Sequence, residues 1–401
     1  MSHRLINLNP ELKKLRDEGY DVEIRENHLL VKDVPYVDKS RTIQRGVLIT
    51  PLTLAGDKTL RPGSHVVYFD GMHPCNADGI EIEALRHQST PQKLGKSLVA
   101  QRSFSHKPSS GYPDHYSKMT TYAAIISHQA QALDPSFKVR TFPPYEQEED
   151  DSVFTYLDTA TSRAGIGNVT AKLELGGIGI VGLGGSGSYI LDLVAKTPVR
   201  KIVLIDGDKF STHNAFRSPG AHQIEKLREA PLKVDYFKDQ YSKLHRNIIA
   251  HPCFLYESNT DLLDGLDFVF VCVDSGPARK VIVEKLESAC TPFIDVGMGI
   301  NLVNDTLIGQ LRVTTRTQGN QGKTEPGARM NFGIDVGDDI YATNVQTADL
   351  NAFLAVQAVI KWKKHFGFYC DHRKEHHTQY LLEGGALIHE DEYAEARGPE
   401  A

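Results

Sequence analysis

The run IGIVGLGGSG at residues 178–187 joins an apolar strand pattern to the beginning of a helix. Gly182, Gly184 and Gly187 have the spacing that permits a tight turn, a close approach of backbone to phosphate, and close packing of helix on strand. Gly185 lies between them, where free helical N–H groups and the positive end of the helix dipole face an anion. This order of strand, glycine loop and helix predicts a nucleotide-binding site.

Repeated strand and helix patterns surround the glycine loop. The run DFVFVCV at 267–273 is almost continuously apolar, which is typical of a strand that is buried on both faces. Alternation of strand and helix in units of this size predicts an α/β fold with a doubly wound, Rossmann-like, mostly parallel sheet. The predicted strands are 178–183, 201–205, 248–256, 267–273 and 293–296, and the predicted helices begin at Tyr189 or cover 233–244, 276–290 and 347–366.

The residues ahead of the glycine loop show a different pattern, which predicts a smaller α+β domain. The predicted elements are a hairpin from 20–25 and 28–32, a strand at 66–69 and a helix at 116–133. A proline-opened, acidic run then predicts a solvated linker. The predicted divisions are an accessory domain at 1–141, the linker at 142–158, a nucleotide-binding domain at 159–390 and a flexible tail at 391–401.

The composition excludes several classes of protein. The chain has 401 residues, of which 24% are charged and 40% hydrophobic, and its formal net charge is −6. The sequence contains no run of 18 apolar residues that would predict a membrane span, and its N-terminus lacks the apolar core of a secretory signal. Because phosphate backbones require a basic surface, a mildly acidic chain argues against nucleic acid as a partner. At roughly 150 residues per domain, the length predicts two or three domains.

The cysteines limit the function further. They are odd in number and irregularly spaced, which excludes a disulfide framework and is typical of a reducing, cytoplasmic location. The same spacing excludes a four-cysteine zinc site, so we expect no zinc. The positions are Cys75, Cys253, Cys272, Cys290 and Cys370.

Polar residues after the glycine loop favour one nucleotide chemistry. Asp206 ends the next strand, 19 residues after Gly187, where a carboxylate can accept from ribose hydroxyls. Asp274 ends the buried strand, where one carboxylate suits magnesium that is also held by phosphate oxygens. Between them lie Asp208 and three residues that could hold several phosphate charges, namely Asn214, Arg217 and Lys233. A hydride-transfer cofactor needs no such cluster, whereas a nucleoside triphosphate does. An NAD-dependent oxidoreductase and a nucleotide-binding scaffold without turnover stay open as alternatives.

The order of these motifs resembles the ThiF-like and ubiquitin-activating-enzyme-like adenylyltransferases over residues 160–366. The matching motifs are GLGGSG, LIDGD, the N-x-x-R of Asn214 and Arg217, Lys233, and VCVDS. The resemblance implies that ATP lies on the glycine loop with Asp206 on its ribose. It further implies that Asn214, Arg217 and Lys233 hold the phosphates, with magnesium on Asp274 and with Asp208 and Ser275 completing the nucleotide site.

The resemblance also implies a reaction and its partners. The C-terminal glycine carboxylate of a ubiquitin-like or sulfur-carrier protein attacks the α-phosphorus of ATP, giving an acyl-adenylate and pyrophosphate. Such enzymes form homodimers in which an arginine ahead of the first strand reaches into the neighbouring site, and Arg163, or alternatively Arg140, has that position. A conjugating enzyme is a further expected partner. The N-terminal part resembles accessory domains of unknown function found ahead of bacterial ThiF-like modules.

Three features depart from the family pattern. The zinc-binding cysteine pairs are absent, Ser275 stands where asparagine is common, and the segment 314–330 lacks the nucleophilic cysteine of many members. Cys370 has polar neighbours and is the candidate for a thioester, whereas Cys290 is expected to pack in the core. The alternative is that the chemistry stops at the adenylate.

Two other groups admit both a chemical and a structural interpretation. Cys75 follows His73 by two residues, so it is either an activated nucleophile or a packed residue of a turn. A histidine cluster near the C-terminus lacks a fixed ligand spacing, and we expect it to be solvated surface rather than a metal site. Its members are His372, His376, His377 and His389.

Overall fold

The computed structural model describes residues 2–145, 152–317, 329–333 and 345–390. These residues form two units, one of 2–145 with 157–165 and the other of 152–156 with the described residues from 166 onward. The predicted linker lies partly outside the described residues and the predicted tail wholly outside them, so the domain boundaries stay predictions. In the ranges described, no helix has both the length and the apolar composition that a membrane crossing requires.

The first unit is an α+β arrangement on an antiparallel sheet. Its helices are α1 (Ser2–Leu8), α2 (Pro10–Asp17), α3 (His115–Leu133) and α4 (Thr159–Ala164), with a 3-10 turn at Glu83–Leu85. Its strands are β1 (Asp21–Arg25), β2 (His28–Val37), β3 (Ile43–Pro51), β4 (Leu54–Ala55), β5 (Lys58–Thr59), β6 (Val66–Asp70), β7 (Arg86–Gln88), β8 (Gln92–Lys93), β9 (Val99–Ala100) and β10 (Arg102–Ser105). The main sheet has the order β1-β2-β3-β6-β10-β7. The predicted hairpin, strand and long helix are confirmed.

Helix α3 covers this sheet and closes its core. The helix begins after Asp114, whose carboxylate accepts the N–H of Ser117 at 2.7 Å and so satisfies one free donor of the first turn. Tyr122 and Ile126, four residues apart, share one helix face and are fully buried with Phe104 of the sheet. The amphipathic pattern of the helix thus supplies the core of the first unit.

The second unit alternates strand and helix around a larger sheet. Its strands are β11 (Ile178–Val181), β12 (Ile202–Ile205), β13 (Ile248–His251), β14 (Phe268–Val271), β15 (Phe293–Val303), β16 (Thr306–Arg316), β17 (His377–Leu381) and β18 (Ala386–Glu390). Its helices are α5 (Gly167–Thr170), α6 (Gly185–Val194), α7 (Thr212–Ala215), α8 (Ile224–Glu229), α9 (Lys233–Tyr241), α10 (Gly276–Ser288) and α11 (Ala348–His365), with 3-10 turns at Ala171–Leu173 and Glu257–Leu263.

The strand order of this sheet fixes the place of a ligand site. Among the described residues the order is β13-β12-β11-β14-β15-β16-β17-β18, with parallel pairing from β13 to β15 and antiparallel pairing beyond it. The chain runs outward through β12 and β13, then returns to place β14 on the other side of β11. Ligands of open α/β sheets bind where the strand order reverses in this way, at the carboxyl ends of the strands. The segments after β11 and β14 therefore border the expected crevice.

Two apolar cores cover the two faces of the parallel strands. Ile180 of β11 and Phe270 of β14 point to one face, where α6, α9 and α11 pack and Trp362 is fully buried. Val181 and Val271, the next residue in each strand, point to the other face and pack with α10. Because neighbouring strand residues point to opposite faces, a strand buried on both must be continuously apolar. The predicted doubly wound, mostly parallel fold is confirmed.

Several predicted bounds were wrong. The helix after the glycine loop begins at Gly185 rather than Tyr189, and the strand from Ile248 ends at His251, immediately before Pro252. The strand from Phe293 continues to Val303 and forms a hairpin with β16. Strands β17 and β18 are not predicted by the sequence pattern. These added strands are partly exposed, so they lack the continuous apolar run that marked the parallel strands.

Candidate functional site

The glycine loop makes a sharp turn between β11 and α6. Gly182 has a φ of +88°, and a Cβ there would lie 2.7 Å from the carbonyl oxygen of Cys272, so both its conformation and its contacts require glycine. Gly187 lies so close to the turn that a Cβ would overlap the carbonyl oxygen of Gly182. Gly185 packs against the side chain of Asn351, whose Oδ1 accepts the Ser186 hydroxyl at 2.8 Å.

Gly184 differs from the other glycines of the loop because no described residue occupies the space beside it. A Cβ added to Gly184 would meet no atom of the described residues within 4 Å. Gly184 is also the residue before α6, and no side chain caps that helix. The first N–H groups of α6 are therefore available beside an open space, and free N–H groups at a helix start attract anions. Phosphate oxygens are suitable acceptors for them.

Asp206 holds the glycine loop through its carboxylate. Its Oδ2 accepts the backbone N–H of Leu183 at 2.6 Å, and its Oδ1 accepts the N–H of Asp208 at 2.8 Å. The side chain is buried, and desolvation raises its pKa against the opposing attraction of Lys233. A carboxylate oxygen has a second lone pair, so these bonds leave Asp206 able to accept one more donor at each oxygen.

Lys233 lies at the start of α9 and faces both acidic residues that follow β12. Its Nζ is 2.7 Å from Asp208 Oδ2 and 3.7 Å from Asp206 Oδ2. The lysine is 7% exposed, while the side chain of Asp208 is 55% exposed. Because Asp208 reaches solvent, its ion pair with Lys233 can open without leaving the carboxylate buried. The ammonium group can then turn to another anion.

Asn214 and Arg217 present buried donors without partners in the described structure. The Oδ1 of Asn214 accepts the N–H of Ser211 at 2.9 Å, which closes a capping box on α7 and fixes the amide. Its Nδ2 is buried and has no hydrogen-bond partner among the described residues. The Nε of Arg217 is likewise buried and has no hydrogen-bond partner among the described residues. Burial lowers the pKa of Arg217, and the negative charge of Asp274 opposes that shift.

Asp274 and Ser275 lie after β14, across the strand reversal from the glycine loop. Asp274 is exposed, and its Oδ1 accepts the backbone N–H of Ser275 at 3.0 Å. Ser275 caps α10 by accepting the N–H of Ala278 at 3.4 Å. A serine therefore provides the cap at the position where the family commonly has asparagine. Asp274 is left as an oriented carboxylate that is open to a ligand.

The structure brings the glycine loop, Asp206, Asp208, Asn214, Arg217, Lys233, Asp274 and Ser275 to the carboxyl edge of one sheet. The two arginines predicted to reach into a neighbour lie in the first unit. Arg163 is in α4, and its side chain lies outside the described residues. Arg140 pairs with Glu18 at 2.9 Å and lies over the ring of Tyr20, so its guanidinium is already engaged.

Cys370 lies near the amino ends of the parallel strands, whereas the glycine loop lies at their carboxyl ends. This is the wrong end of the sheet for a thioester formed at the glycine loop. It follows α11, whose last residues contact Phe268 at the amino end of β14. Asn351, near the start of the same helix, contacts Ser186 of the glycine loop. Helical rise puts about 21 Å between Asn351 and His365, the last residue of α11. Cys370 Sγ lies 3.3 Å from His372 Nε2, but the structure does not join this pair to the other predicted residues.

The other cysteine and histidine predictions also have outcomes. Cys75 is fully buried, and burial raises the pKa of its thiol, which favours the packed turn residue over an activated nucleophile. Cys290 was expected in the core and is exposed instead. It lies just after the end of α10, in a turn where its φ is +53°. His377 was expected in a solvated cluster and is buried in β17, 3.0 Å from Thr314 Oγ1.

Sequence reasoning missed a buried charge network beside the site. Asp295 of β15 is fully buried between Arg279, at 2.9 Å, and Arg312, at 2.7 Å. Arg279 also donates to the carbonyl of Val273, and so fixes the backbone just ahead of Asp274. The signal was a lone carboxylate in the apolar run FIDV, because a buried carboxylate requires charged or hydrogen-bonded partners.

The model of the ThiF family matches residues 160–326, a range that contains every second-unit site residue named above except Cys370 and Asn351. Residues 160–326 are a ThiF family domain. The predicted resemblance is therefore confirmed for this part of the chain. Residues 10–159 match a domain of unknown function, DUF6791, in agreement with the accessory domain expected there.

Curated relatives of the ThiF domain match over part of their length. The chain is 25% identical over 156 residues to ubiquitin-like modifier-activating enzyme 5 of Culex quinquefasciatus, which covers 36% of this chain and 39% of that protein. It is 28% identical over 141 residues to the adenylyltransferase and sulfurtransferase UBA4 of Saccharomyces cerevisiae (strain YJM789). That match covers 34% of this chain and 29% of the relative. The chain thus spans less than half the length of these relatives.

Solved structures with a similar arrangement include E. coli MccB with AMPCPP and MccA. That chain is 14% identical, with a TM-score of 0.46 and coverage of 58% of this chain and 69% of that one. PaaA is 18% identical, with a TM-score of 0.42 and coverage of 56% and 75%.

Proposed function

We propose that this protein is an ATP-dependent adenylyltransferase. Its substrate is the C-terminal carboxylate of a small ubiquitin-like or sulfur-carrier protein that ends in glycine. The products are an acyl-adenylate and pyrophosphate. The ThiF domain and the names of its relatives, an activating enzyme for a ubiquitin-like modifier and an adenylyltransferase, support this class of reaction.

The observation that carries the proposal is the pair of unpartnered donors at the carboxyl edge. Asn214 Nδ2 and Arg217 Nε are buried without partners among the described residues, and leaving a buried donor unpaired costs about 1–3 kcal/mol. Oxygen acceptors on a ligand would recover that cost. Lys233 adds a cation that can leave Asp208, and the start of α6 adds free N–H groups. The phosphates of ATP match this set in charge and in hydrogen-bonding capacity.

The reaction requires positioning and charge stabilisation rather than proton transfer. A carboxylate oxygen of the carrier forms a bond to the α-phosphorus, and the bond from that phosphorus to the bridging oxygen of pyrophosphate breaks. The attacking carboxylate is already ionised at neutral pH, so no general base is needed. In the proposed site Asp206 accepts from the ribose, while Asn214, Arg217 and Lys233 hold the phosphates and offset the charge that develops on pyrophosphate.

Asp274 fits the part of a magnesium ligand. Magnesium commonly takes one or two protein carboxylates together with phosphate oxygens and water. Asp274 offers one exposed carboxylate, which is oriented by the N–H of Ser275. When bound, the ion neutralises phosphate charge and favours departure of pyrophosphate. The residues of this chain then need only orient that carboxylate, which the capped start of α10 does.

We propose a homodimer in which Arg163 of one chain completes the site of the other, with a conjugating enzyme as a later partner. A cysteine thioester is not part of the proposal, because Cys370 lies at the opposite edge of the sheet from the glycine loop. The chemistry of this chain therefore stops at the adenylate. A bacterial conjugation or defence pathway in the cytoplasm is the proposed setting.

The test is ATP–pyrophosphate exchange with a panel of small ubiquitin-like proteins that end in glycine. We expect exchange with at least one carrier and none with its matched variant that lacks the terminal glycine. Asp274→Ala should lower exchange at least about tenfold, since a catalytic metal contributes several kcal/mol of charge stabilisation. Asp239→Ala, which removes an exposed carboxylate on α9, is the matched control and should leave exchange unchanged.

Other outcomes separate the alternatives. Unchanged exchange in Asp274→Ala would remove the magnesium assignment and leave the adenylation proposal in place. Tight binding of NAD without binding of ATP would select an oxidoreductase. ATP binding without exchange for any carrier would select a nucleotide-binding scaffold. A gene for a small protein ending in Gly-Gly, found beside the gene for this chain, would name the first carrier to include in the panel.

A further inference from the structure

His222 joins two hydroxyl groups on either side of its ring. Its Nε2 lies 3.1 Å from Ser218 Oγ, and its Nδ1 lies 2.6 Å from Tyr236 Oη. Burial lowers the pKa of His222, which favours the neutral ring. A neutral imidazole donates from one nitrogen and accepts at the other, and a hydroxyl can do either. Both contacts can therefore be made at once, and we name the three residues the Ser218–His222–Tyr236 relay.

The two ends of this relay lie next to the two cations of the proposed phosphate site. Ser218 immediately follows Arg217 and is 7% exposed. Tyr236 is one helical turn after Lys233 on α9, and residues three apart share a helix face. His222 thus spans the distance between the segment that carries Arg217 and the helix that carries Lys233.

The Tyr236 end is fixed by packing on the segment that follows β12. The ring of Tyr236 stacks on Phe210 with centroids 4.3 Å apart and an interplanar angle of 6°. Phe210 is fully buried, and its N–H donates to the carbonyl of Pro231 at 2.7 Å. The N–H of Lys233 donates to the carbonyl of Asp208 at 2.9 Å. This end of the relay is therefore a rigid anchor.

The Ser218 end lies in irregular chain. Residues 218–223 connect α7 to α8 without helix or strand, so no ladder of backbone hydrogen bonds holds them. Fixing the backbone of one residue costs about 1–2 kcal/mol of conformational entropy, and that cost falls on the binding of any ligand that must first order the segment. A segment tethered by His222 holds the backbone of Arg217 in place before the ligand arrives.

We infer that His222 is a positioning residue, which uses Ser218 and Tyr236 to fix Arg217 and Lys233 relative to each other for a triphosphate ligand. This inference rests on the proposed function. The relay touches no reacting atom and acts only through its neighbours. Its loss should therefore weaken the binding of phosphates and spare the binding of the nucleoside.

The test compares ATP and adenosine as probes of the full chain, by titration calorimetry and by competition. Tyr236→Phe removes one hydroxyl and keeps the ring on Phe210. Since one hydrogen bond is worth about 0.5–1.5 kcal/mol, ATP affinity should fall about three- to tenfold, with adenosine affinity unchanged. Ser218→Ala removes the other end of the relay and should give the same selective loss.

Tyr241→Phe is the matched control on the same helix. It removes the hydroxyl that hydrogen-bonds Asp192 at 3.1 Å, in a part of α9 away from the relay. We expect it to leave both affinities unchanged, even if the free energy of unfolding falls as much as in Tyr236→Phe. Hydrogen exchange of the backbone amides of Ser218 and residues 220–222 should be faster in Tyr236→Phe than in wild type and unchanged in Tyr241→Phe.

The outcomes distinguish this inference from the proposed function. Unchanged ATP affinity in both relay variants would overturn the inference and leave adenylation intact. An equal loss of ATP and adenosine affinity would also overturn it, because that result indicates general support of the fold. A wild-type chain that binds no ATP would remove the proposed function, and the inference with it.

Discussion

Asp206 shows how one carboxylate can serve both the fold and the site. Its two oxygens accept two backbone N–H groups, one from the glycine loop and one from the segment after β12. A ribose donor would be an additional partner. The sequence predicts only the ribose contact of Asp206, because the position of a residue at the end of a strand can be seen in the local sequence pattern. Its bonds to the backbone depend on a turn that brings Leu183 across to it.

The substitution Asp206→Asn tests the structural part of this role. An amide has one oxygen and one NH₂ group, so in either orientation its NH₂ faces a backbone N–H donor. We expect the free energy of unfolding to fall by about 1–3 kcal/mol, the cost of an unsatisfied buried group, and ATP affinity to fall with it. Chemical denaturation and calorimetry measure the two effects.

The matched control is Asp208→Asn, which makes the same change two residues away. Asp208 is half exposed, and its carboxylate accepts only Lys233 among the hydrogen bonds of the described residues. We expect a change in stability of less than about 1 kcal/mol, because the side chain at 208 reaches solvent and the amide oxygen can still accept from Lys233. Equal destabilisation by the two substitutions would contradict the bonding assigned to Asp206.

The turn from β11 into α6 contains two glycines whose reasons for being glycine differ. At Gly187 a Cβ would overlap the carbonyl oxygen of Gly182, so the helix could not lie so close to the strand. At Gly184 a Cβ would meet no atom in the part of the chain that the structure describes, and the backbone is extended with a φ of −73°, which alanine adopts. The first glycine is required by the protein, and the second only by whatever fills the open space.

Alanine at each position separates folding from binding. Gly187→Ala should lower the free energy of unfolding by about 1–3 kcal/mol, as overpacking does, and weaken ATP because α6 shifts. Gly184→Ala should lower the free energy of unfolding by no more than about 1 kcal/mol, the cost of alanine at the residue before a helix, and still weaken ATP, because its methyl group occupies the space proposed for phosphate. Thermal unfolding and ATP titration of both variants are the measurements. Undiminished ATP binding by Gly184→Ala would place the phosphates elsewhere.

The elements differ in how well their sequence patterns predict them. Strands β11, β12 and β14 are buried on both faces, so their apolar runs identify them directly. The apolar pattern predicts only Phe293–Val296 of β15, and it predicts none of β16, β17 or β18. Half-exposed strands that contain glycines have a weak apolar pattern. These strands are determined by the strands they pair with rather than by their local composition. The sequence of one segment does not show which other segment it will pair with.

The candidate site was more predictable than the sheet that supports it. Each site residue except Asn214, Arg217 and Lys233 follows the carboxyl end of a strand by a few positions, and parallel strands bring those ends to one edge. By contrast, Arg279, Asp295 and Arg312 come from α10, β15 and β16, so their network depends on tertiary packing. The same holds for Cys370, whose place depends on the length and direction of α11.

Lys118 makes the stability of the first unit depend on pH in an unusual direction. Its Nζ is buried and donates to Thr50 Oγ1, Ser64 O and Val66 O at 2.7–2.9 Å, with no carboxylate among these partners. Desolvation lowers its pKa from 10.5 to about 8. Between these two values the unfolded chain binds more protons than the folded one, so raising the pH favours the folded state.

We therefore expect the free energy of unfolding of the first unit to rise between pH 8 and pH 10.5. The shift of the Lys118 pKa corresponds to about 3 kcal/mol at the upper end of this range. Lys118→Met should remove this part of the pH dependence, whereas Lys138→Met, an exposed lysine of the same unit, should keep it. Hydrogen exchange of α3 in the full chain, measured across this pH range, follows the unit directly. Since tyrosines and thiols titrate here as well, the wild-type curve minus the Lys118→Met curve isolates the lysine, and parallel curves would show that Lys118 keeps an ordinary pKa.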